Sequence, residues 1–473
     1  RRGGAPDANL RTSPGRLVLK QPLSKYWEHI RSSFWFVPSL MAVGAMALAF
    51  AMVTLDQIAG ASWLAKAGWV DTGGAEGASA VLQTIAGSMI TIAGVVFSLT
   101  LVALSIASSQ FGPRLLYNFM RDRTNQVVLG TFIATFLYCL LVLRTIRYAP
   151  EDGFVPHLSV TLGVVFALAS LWVLIYFIHH VSVSVQADHI IARVGRDLLR
   201  GVKNIFPAQI GRDPPDRASD DAAALPKNFE SDARAVAAEG DGYLQLIDVD
   251  ALMELATERD VVLRLEYRPG HYVVDGSTLA LAWPADRVDD SVAEELNAAF
   301  GIGPQRTPNQ DIEHAVLQLV EIAVRALSPG INDPFTAMAC IDRLASGLSR
   351  IARTKMPSPY RCDEEGRLRV VAPPASFEGI VDAALNQIRQ NARANAAVSI
   401  RLLEAISAIA TMTDDAEQPA VLRRHADVIA RGARDAIPEQ EDRRAVAERH
   451  TDVVAALSAS PPQRPEQARY ADA

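Results

Sequence analysis

Residues 76–114 read EGASAVLQTIAGSMITIAGVVFSLTLVALSIASSQFGPR, and the 37 residues between Glu76 and Arg114 carry no charge. The hydrocarbon core of a bilayer is about 30 Å thick, and an α-helix needs about 20 apolar residues to cross it. This stretch is therefore long enough to span a membrane. Three further segments are also long and apolar enough: Phe34–Leu55, Val127–Ile146 and Leu158–Val181. We predict a four-helix transmembrane domain over residues 34–181.

Small and hydroxyl-bearing side chains recur along the second segment at steps of 4, 3, 4, 3, 4, 3 and 4 residues, which keeps them on one face of an α-helix. This face, the small-residue stripe, consists of Gly87, Thr91, Gly94, Ser98, Leu101, Ser105, Ser108 and Gly112. Leu101 is its only bulky member, and Ser109 and Gln110 extend a polar cluster at its far end. The spacing leaves three interpretations open: close helix packing, a pore lining, or the packing face of a transporter.

The basic residues predict how the helices are oriented. Cytoplasmic loops are rich in Lys and Arg. Such residues concentrate before the first span, between the second and third, and after the fourth: Arg11, Arg16, Lys20, Lys25, Arg31; Arg114, Arg121, Arg123; Arg193, Arg196, Arg200, Lys203. The loop between the first two spans offers only Lys66. We predict cytoplasmic termini, with residues 1–33 forming a basic amino-terminal segment.

The residues after the fourth span predict a cytoplasmic α+β domain. Residues 182–206 keep helical apolar spacing and predict an amphipathic helix continuing the fourth span. Residues 207–240 have the composition of a mobile linker. Four short strands and two tight turns within 241–286 predict a small β-barrel or sandwich. Residues 287–412 are helical in pattern, and the Ala/Arg/Glu-rich tail at 413–473 is expected to end in disorder. The predicted fold class is membrane α-helical, with four transmembrane helices and this cytoplasmic α+β domain.

The string RALSPGINDP at residues 325–334 has the pattern of one helix ending and another beginning. Asn332 or Asp333 can cap the second helix, and Pro334 suits its first turn, where no amide donor is needed. The string is either a structural corner or a helix terminus that binds an anion or a partner subunit. The candidate interaction residues at this corner are Arg325, Ser328, Asn332 and Asp333.

Other chemistry has weaker support. Asp311 and His314 share a helix face, as a metal pair could, but no second His or Cys lies at useful spacing, which favours a surface ion pair or a capping contact. The familiar nucleotide-binding, hydrolase, zinc-protease and kinase motifs are missing from the sequence. We therefore expect no enzymatic activity, catalytic residue, cofactor or metal. A net charge of −7 without a dense basic patch in the tail argues against nucleic-acid binding.

Two strings in the chain resemble a known family. VVFSLTLVALSIASSQFGPRLL at residues 95–116, together with residues 325–334, is similar to the bacterial family of predicted membrane proteins labelled domain of unknown function 2254. The resemblance covers roughly residues 30–410. It implies a bacterial inner-membrane location, four amino-terminal spans and a cytoplasmic carboxy-terminal domain, and it implies no activity or substrate.

The leading functional prediction is a homo-oligomeric ion channel or channel-like pore with a regulatory cytoplasmic domain. In that interpretation the small-residue stripe lines an axial pathway for ions, and the partners are the lipid bilayer and further copies of the chain. The alternatives are a non-conducting sensor or scaffold that binds a cytoplasmic partner, or a transporter. An oligomer with the second span at its axis favours the channel. A monomer, or an axis filled by bulky aliphatic side chains, favours the non-conducting sensor or scaffold.

Overall fold

The computed structural model describes residues 35–59, 74–112, 123–147, 154–214, 225–413 and 415–458. Its contacts divide the chain into two compact units. The first unit contains the four long apolar helices, up to Val185. The second unit contains residues from Gln186 onward, together with Gln110–Gly112. The predicted basic segment at residues 1–33 lies outside the described residues.

The four helices of the first unit are α1 Phe36–Ala59, α2 Gly74–Phe111, α3 Arg123–Leu143 and α4 His157–Ser184. Each is long and apolar enough to cross a membrane, which confirms the four predicted spans. α3 is the central helix, since 44% of its most apolar window is buried, against 17–22% for the other three. Its Phe132, Tyr138 and Val142 are fully enclosed.

Polar contacts fix the register of α4 against α1 and α3. Asp56 near the end of α1 accepts hydrogen bonds from the backbone N–H groups of Leu158 (2.9 Å) and Ser159 (3.0 Å), and from the Ser159 hydroxyl (2.6 Å). A carboxylate at a helix amino terminus satisfies unpaired donors and complements the helix dipole. Tyr138 donates to the Ser159 carbonyl at 3.1 Å. The three helices are thus joined at one end by a single connected network.

The helices of the second unit are α5 Ala187–Gly201, α6 Phe229–Asp232, α7 Val249–Glu258, α8 Asp290–Ala299, α9 Ile312–Ala326, α10 Pro334–Ala352, α11 Phe377–Ala392, α12 Ala396–Ala410, α13 Gln418–Ala436 and α14 Gln440–Ser458. The strands are β1 Arg234–Ala237, β2 Gly242–Ile247, β3 Val262–Leu265, β4 Tyr272–Val273, β5 Thr278–Trp283, β6 Phe300–Gly303, β7 Tyr360–Cys362 and β8 Leu368–Val371.

The predicted continuous helix over 182–206 is interrupted. α4 ends at Ser184, Gln186 has an extended backbone, and α5 begins at Ala187. The hydroxyls of Ser182 and Ser184 donate to carbonyls four residues earlier, at 2.8 and 2.6 Å. Such side-chain bonds compete with continuation of a helix. The apolar face of α5 is buried within the second unit, as its spacing predicts.

The strands form two open sheets rather than a closed barrel. The larger sheet has the order β1-β5-β3-β8-β7, and the smaller has the order β4-β2-β6. All pairs are antiparallel except β3 with β8, where Leu263 lies opposite Val370. Both sheets, together with α7 and α8, contribute to one hydrophobic core. β6, β7 and β8 come from residues 287–412, so that region is not purely helical as predicted.

The prediction of a mobile linker over 207–240 is wrong for its described parts, 207–214 and 225–240. The first part is held by Arg361, a buried residue that donates to the carbonyls of Ile210 (2.5 Å), Ala208 (3.1 Å) and Gly211 (3.2 Å). The second part forms α6 and β1. The polar composition of this segment suggests that its carbonyls are hydrated. One buried guanidinium instead donates hydrogen bonds to three of them.

Six helices, α9 to α14, form the remainder of the second unit. α10 packs on α5, where an added Cβ at Gly347 would meet the Leu198 side chain. The tail beyond residue 413 forms α13 and α14, which bury Leu422, Ile429 and Val453. Its predicted disordered end lies outside the described residues.

Candidate functional site

The small-residue stripe lies on the open side of α2. Gly87, Thr91, Gly94, Ser98, Leu101 and Ser105 are all exposed, and Ser108 is half-buried. Leu101 keeps 49% of its surface accessible. The four helices of this unit therefore pack together without using the stripe.

A neighbouring face of α2 makes contacts within the first unit. Its members follow the same steps of 4 and 3 residues, and all are buried: Leu82, Ala86, Met89, Ala93, Val96, Thr100, Ala103 and Ala107. Leu82 and Ala86 share a core cluster with Tyr138, whereas Met89 and Val96 share another with Phe132. This face is displaced from the stripe by five residues along the chain, or about 140° around the helix. α2 therefore has separate small faces, one used within the protomer and one unused.

The unused face has room for another molecule. A Cβ atom added at Gly87 or at Gly94 would meet no heavy atom within 4 Å. The Thr91 hydroxyl donates to the Gly87 carbonyl at 2.9 Å, so it is satisfied within the helix. The backbone at both glycines is open to a second helix, to water or to lipid.

Gly112 is not part of this open face. It lies beyond the end of α2, is buried, and has a φ of 102°. A Cβ atom there would collide with the Glu321 carboxylate. The periodic spacing misplaces it because the helix ends at Phe111. Ser109 and Gln110, the predicted polar cluster, are exposed in the last turn, with the Ser109 hydroxyl donating to the Ile106 carbonyl at 2.9 Å.

In the second unit, the corner between α9 and α10 has the geometry its sequence predicts. Asp333 is the amino-terminal cap of α10, accepting from the Thr336 backbone N–H (3.1 Å) and hydroxyl (2.5 Å). Asn332 has a φ of 51°, a left-handed conformation that asparagine tolerates. The Ser328 hydroxyl donates to the Arg325 carbonyl at 2.6 Å. The polar groups of the corner are largely engaged in holding its shape.

The corner also presents apolar side chains that the motif does not predict. Ile331 and Phe335 are 45% and 77% exposed. The sequence signal that could have identified them is an apolar residue within a cap-and-turn string, because the turn directs such a side chain away from the core. Beneath the corner, burial and the nearby Asp333 carboxylate raise the pKa of the Cys340 thiol well above its usual range. Cys340 therefore stays protonated at neutral pH.

Asp311, one member of the Asp311–His314 pair, contacts an arginine. Asp311 is buried, and its two oxygens accept from Arg306 at 2.7 and 2.8 Å. The contact is an ion pair, although it is internal rather than on the surface. No group of three or more His, Cys, Asp or Glu side chains with metal-binding geometry occurs among the residues the structure describes.

Four apolar helices followed by a unit of mixed sheets and helices define a multi-pass membrane protein. The model of the predicted membrane protein family DUF2254 matches residues 31–408. The chain belongs to this family, which confirms the resemblance seen in its sequence.

Two relatives show the same degree of similarity. The uncharacterized proteins Mb1321c of Mycobacterium bovis and Rv1290c of Mycobacterium tuberculosis are each 34% identical over 374 residues. The alignments cover 78% of this chain and 70% of each relative. No solved structure matches the chain.

Proposed function

We propose that the protein is a homo-oligomeric channel or channel-like pore of the bacterial inner membrane, with the small-residue stripe of α2 facing an axis shared by several copies. The exposed position of the stripe carries this proposal. A small, hydroxyl-bearing face that packed within the protomer would leave no lining for a pathway. The second unit, placed in the cytoplasm by the basic residues, regulates the pathway.

Much of the remaining exposed surface of α2 differs chemically from the stripe, although Thr84 and Ser88 are exposed there as well. Large apolar side chains stand outward elsewhere on the helix: Val81, Ile90, Val95, Phe97, Leu99, Val102 and Ile106. Such residues suit contact with lipid tails. Contact with lipid does not require a separate line of Gly, Ser and Thr, whereas close contact with another helix or with water favours such residues. This division of the exposed surface supports a second helix or a water path at the stripe.

Leu101 is the proposed constriction of that path. A ring of Leu101 side chains would be the narrowest and driest level of a pathway otherwise lined by Gly, Ser and Thr. Apolar constrictions block ions by excluding water, without a mechanical plug. Replacing Leu101 with serine should wet this level and raise ion leak.

The test compares Leu101→Ser with Leu99→Ser in reconstituted bilayers. Leu99 is 45% exposed on the same helix but lies off the stripe, so the same chemical change there controls for the polarity added to the span. We expect raised single-channel current for Leu101→Ser, background current for Leu99→Ser, and similar melting temperatures for both. A destabilised and silent Leu101→Ser would show that Leu101 packs against a neighbour, and would reject the pore for this helix.

The proposed orientation has its own test. Single cysteines at Lys66 and Asp152 should react with membrane-impermeant thiol reagents from the periplasm, because the basic residues concentrate on the opposite side. A cysteine at Asp220 should stay unlabelled in intact cells. Labelling of all three positions, or of Asp220 alone, would reverse the topology.

A second candidate function is a non-conducting sensor or scaffold. It is favoured by the exposed Ile331 and Phe335 at the corner, since an apolar tip of this kind suits a protein partner. For this function, Phe335→Ser should abolish capture of that partner, and Leu101→Ser should leave membrane conductance at background.

A further inference from the structure

A cavity of about 300 Å³ lies among α11, α12 and α13, far along the chain from the stripe. Its lining consists of Arg389, Gln390, Arg393, Ser399, Val428, Ile429, Arg431, Gly432 and Asp435. Three positive charges against one negative charge leave a net charge of about +2 on its walls. The volume is at the lower end of the range for small-molecule sites.

Of the three arginines, Arg389 is half-buried, whereas Arg393 and Arg431 are exposed, and all three differ from the paired arginines of this unit. Arg268 pairs with Glu313 at 2.8 Å, and Arg369 pairs with Asp363 at 2.8 Å. Within the described residues, no carboxylate lies within 4.0 Å of the Arg389, Arg393 or Arg431 guanidinium. Arg389 instead donates two of its five N–H groups to Asn386, at 3.1 and 2.9 Å. Positive charge at the cavity is therefore not neutralised by ion pairs within the protein.

Neighbouring charges act on Arg389 in both directions. Burial lowers the pKa of the Arg389 guanidinium, Asp382 works against this effect, and Arg424 and Arg431 add to the lowering. The Asp382 carboxylate is already engaged by Arg424 (2.6 Å) and His425 (2.7 Å). These two contacts join α11 to α13 and hold the cavity walls in place.

Gly432 keeps the cavity open. It lies inside α13, where glycine is a poorer helix former than alanine. An added Cβ would meet only Arg393 Cβ at 3.8 Å, an ordinary contact. Neither close packing nor a positive φ requires glycine at this position, and a large side chain on this wall would occupy part of the cavity.

We propose that this cavity binds a small phosphate-bearing anion. Arginine forks match phosphate oxygens in geometry and charge, and a phosphate group carrying about −1.5 to −2 charges at neutral pH balances the walls. The site does not depend on the proposed channel. α13 lies beyond the family match, which ends at residue 408, so one wall of the cavity belongs to a part of the chain outside that match.

The test measures binding of inorganic pyrophosphate to the full chain by calorimetry at constant ionic strength, in phosphatidylcholine nanodiscs. The double variant Arg393→Gln/Arg431→Gln should weaken binding about ten- to a hundredfold, because charge-assisted hydrogen bonds are lost. Gly432→Leu keeps every charge and fills the cavity, and should weaken binding at least tenfold without lowering the melting temperature. Arg423→Gln, which removes an exposed arginine of α13 outside the cavity, is the matched control and should bind normally.

Nanodiscs containing phosphatidylglycerol distinguish a lipid headgroup from a soluble ligand. Competition that raises the apparent Kd for pyrophosphate identifies a lipid phosphate as the occupant, and an unchanged Kd identifies a soluble one. The proposal fails if pyrophosphate does not bind. It also fails if Gly432→Leu binds as well as the wild type, or if Arg423→Gln weakens binding as much as the double variant does.

Discussion

Replacing Gly94 with leucine adds a bulky side chain to the stripe while sparing the protomer. A Cβ at this position meets nothing within 4 Å in the protomer. Leucine is also a better helix former than glycine, by about 0.8–1 kcal/mol. We therefore expect the folding stability of the protomer to stay unchanged or to rise by up to about 1 kcal/mol.

In an oligomer whose copies pack closely against one another at Gly94, the same leucine should be harmful. Side chains forced into a well-packed contact cost typically about 1–3 kcal/mol each. Every copy in the ring would contribute one such leucine, so the penalty should multiply with the number of copies. A penalty of that size shifts an association equilibrium by more than tenfold.

Gly163 in α4 provides the matched control. A Cβ there would lie 3.2 Å from Leu82 Cδ2 and 3.5 Å from Cys139 Sγ. Gly163→Leu should thus destabilise the protomer itself by about 1–3 kcal/mol. The two variants make the same change, from glycine to leucine, on two spans of one unit. They differ in whether the space beside the glycine is filled by the same chain.

The assay combines thermal unfolding with molar mass from light scattering, both in the same detergent. Gly94→Leu should reduce the molar mass with no loss of protomer stability, whereas Gly163→Leu should lower the melting temperature. The reasoning fails if Gly94→Leu lowers the melting temperature as much as Gly163→Leu does. It also fails if Gly94→Leu changes neither mass nor stability, because the stripe would then make no close contact between copies at this position.

Three further predictions concern stability and use thermal unfolding in detergent. Asp56→Asn should lower the free energy of unfolding by about 2–4 kcal/mol, because charge-assisted hydrogen bonds to the start of α4 are lost, including the one from the Ser159 hydroxyl. An unchanged melting temperature would contradict the role of this network. Asp333→Ala should cost about 1 kcal/mol through loss of a helix cap, and no change would mean that the cap is dispensable. Burial lowers the pKa of both His271 and His425, so the unfolded state takes up protons first as the pH falls. Above about pH 6.5 both neutral histidines contribute to the stability of the folded state, and this contribution should decline as the pH falls below that value. The stability of the His425→Gln variant should decline less, and an equal slope in the variant would contradict this assignment.

The membrane helices could be predicted from the sequence because the bilayer imposes a strong local rule. A span needs an uncharged run of fixed minimum length, and such runs are visible in composition alone. The cap at Asp333 could be predicted for a similar reason, since its partner N–H group lies three residues away. Where one contact decides the structure within a few residues, the sequence pattern is sufficient.

The second unit could be predicted less well because its decisive contacts lie far apart in the chain. β3 pairs with β8 through Leu263 and Val370, and strands this short carry little local signal. The linker prediction failed because Arg361 holds the carbonyls around Ile210 from about 150 residues away. The cationic cavity was missed for the same reason, since its arginines belong to helices that meet only in the fold.

The sequence pattern alone does not distinguish the two faces of α2, and the energetics of the helix is needed as well. Both faces repeat at the same steps and both are rich in small residues, so periodicity alone does not say which one packs within the protomer. The exposed face, however, contains Gly87 and Gly94, each costing roughly 0.8–1 kcal/mol of helix propensity relative to alanine. Among the residues that the structure describes, no contact offsets this cost, because neither glycine has a neighbour within 4 Å of an added Cβ. Close approach of a second helix would offset it and lipid would not, which makes the oligomer the arrangement in which this face of the helix is stabilised.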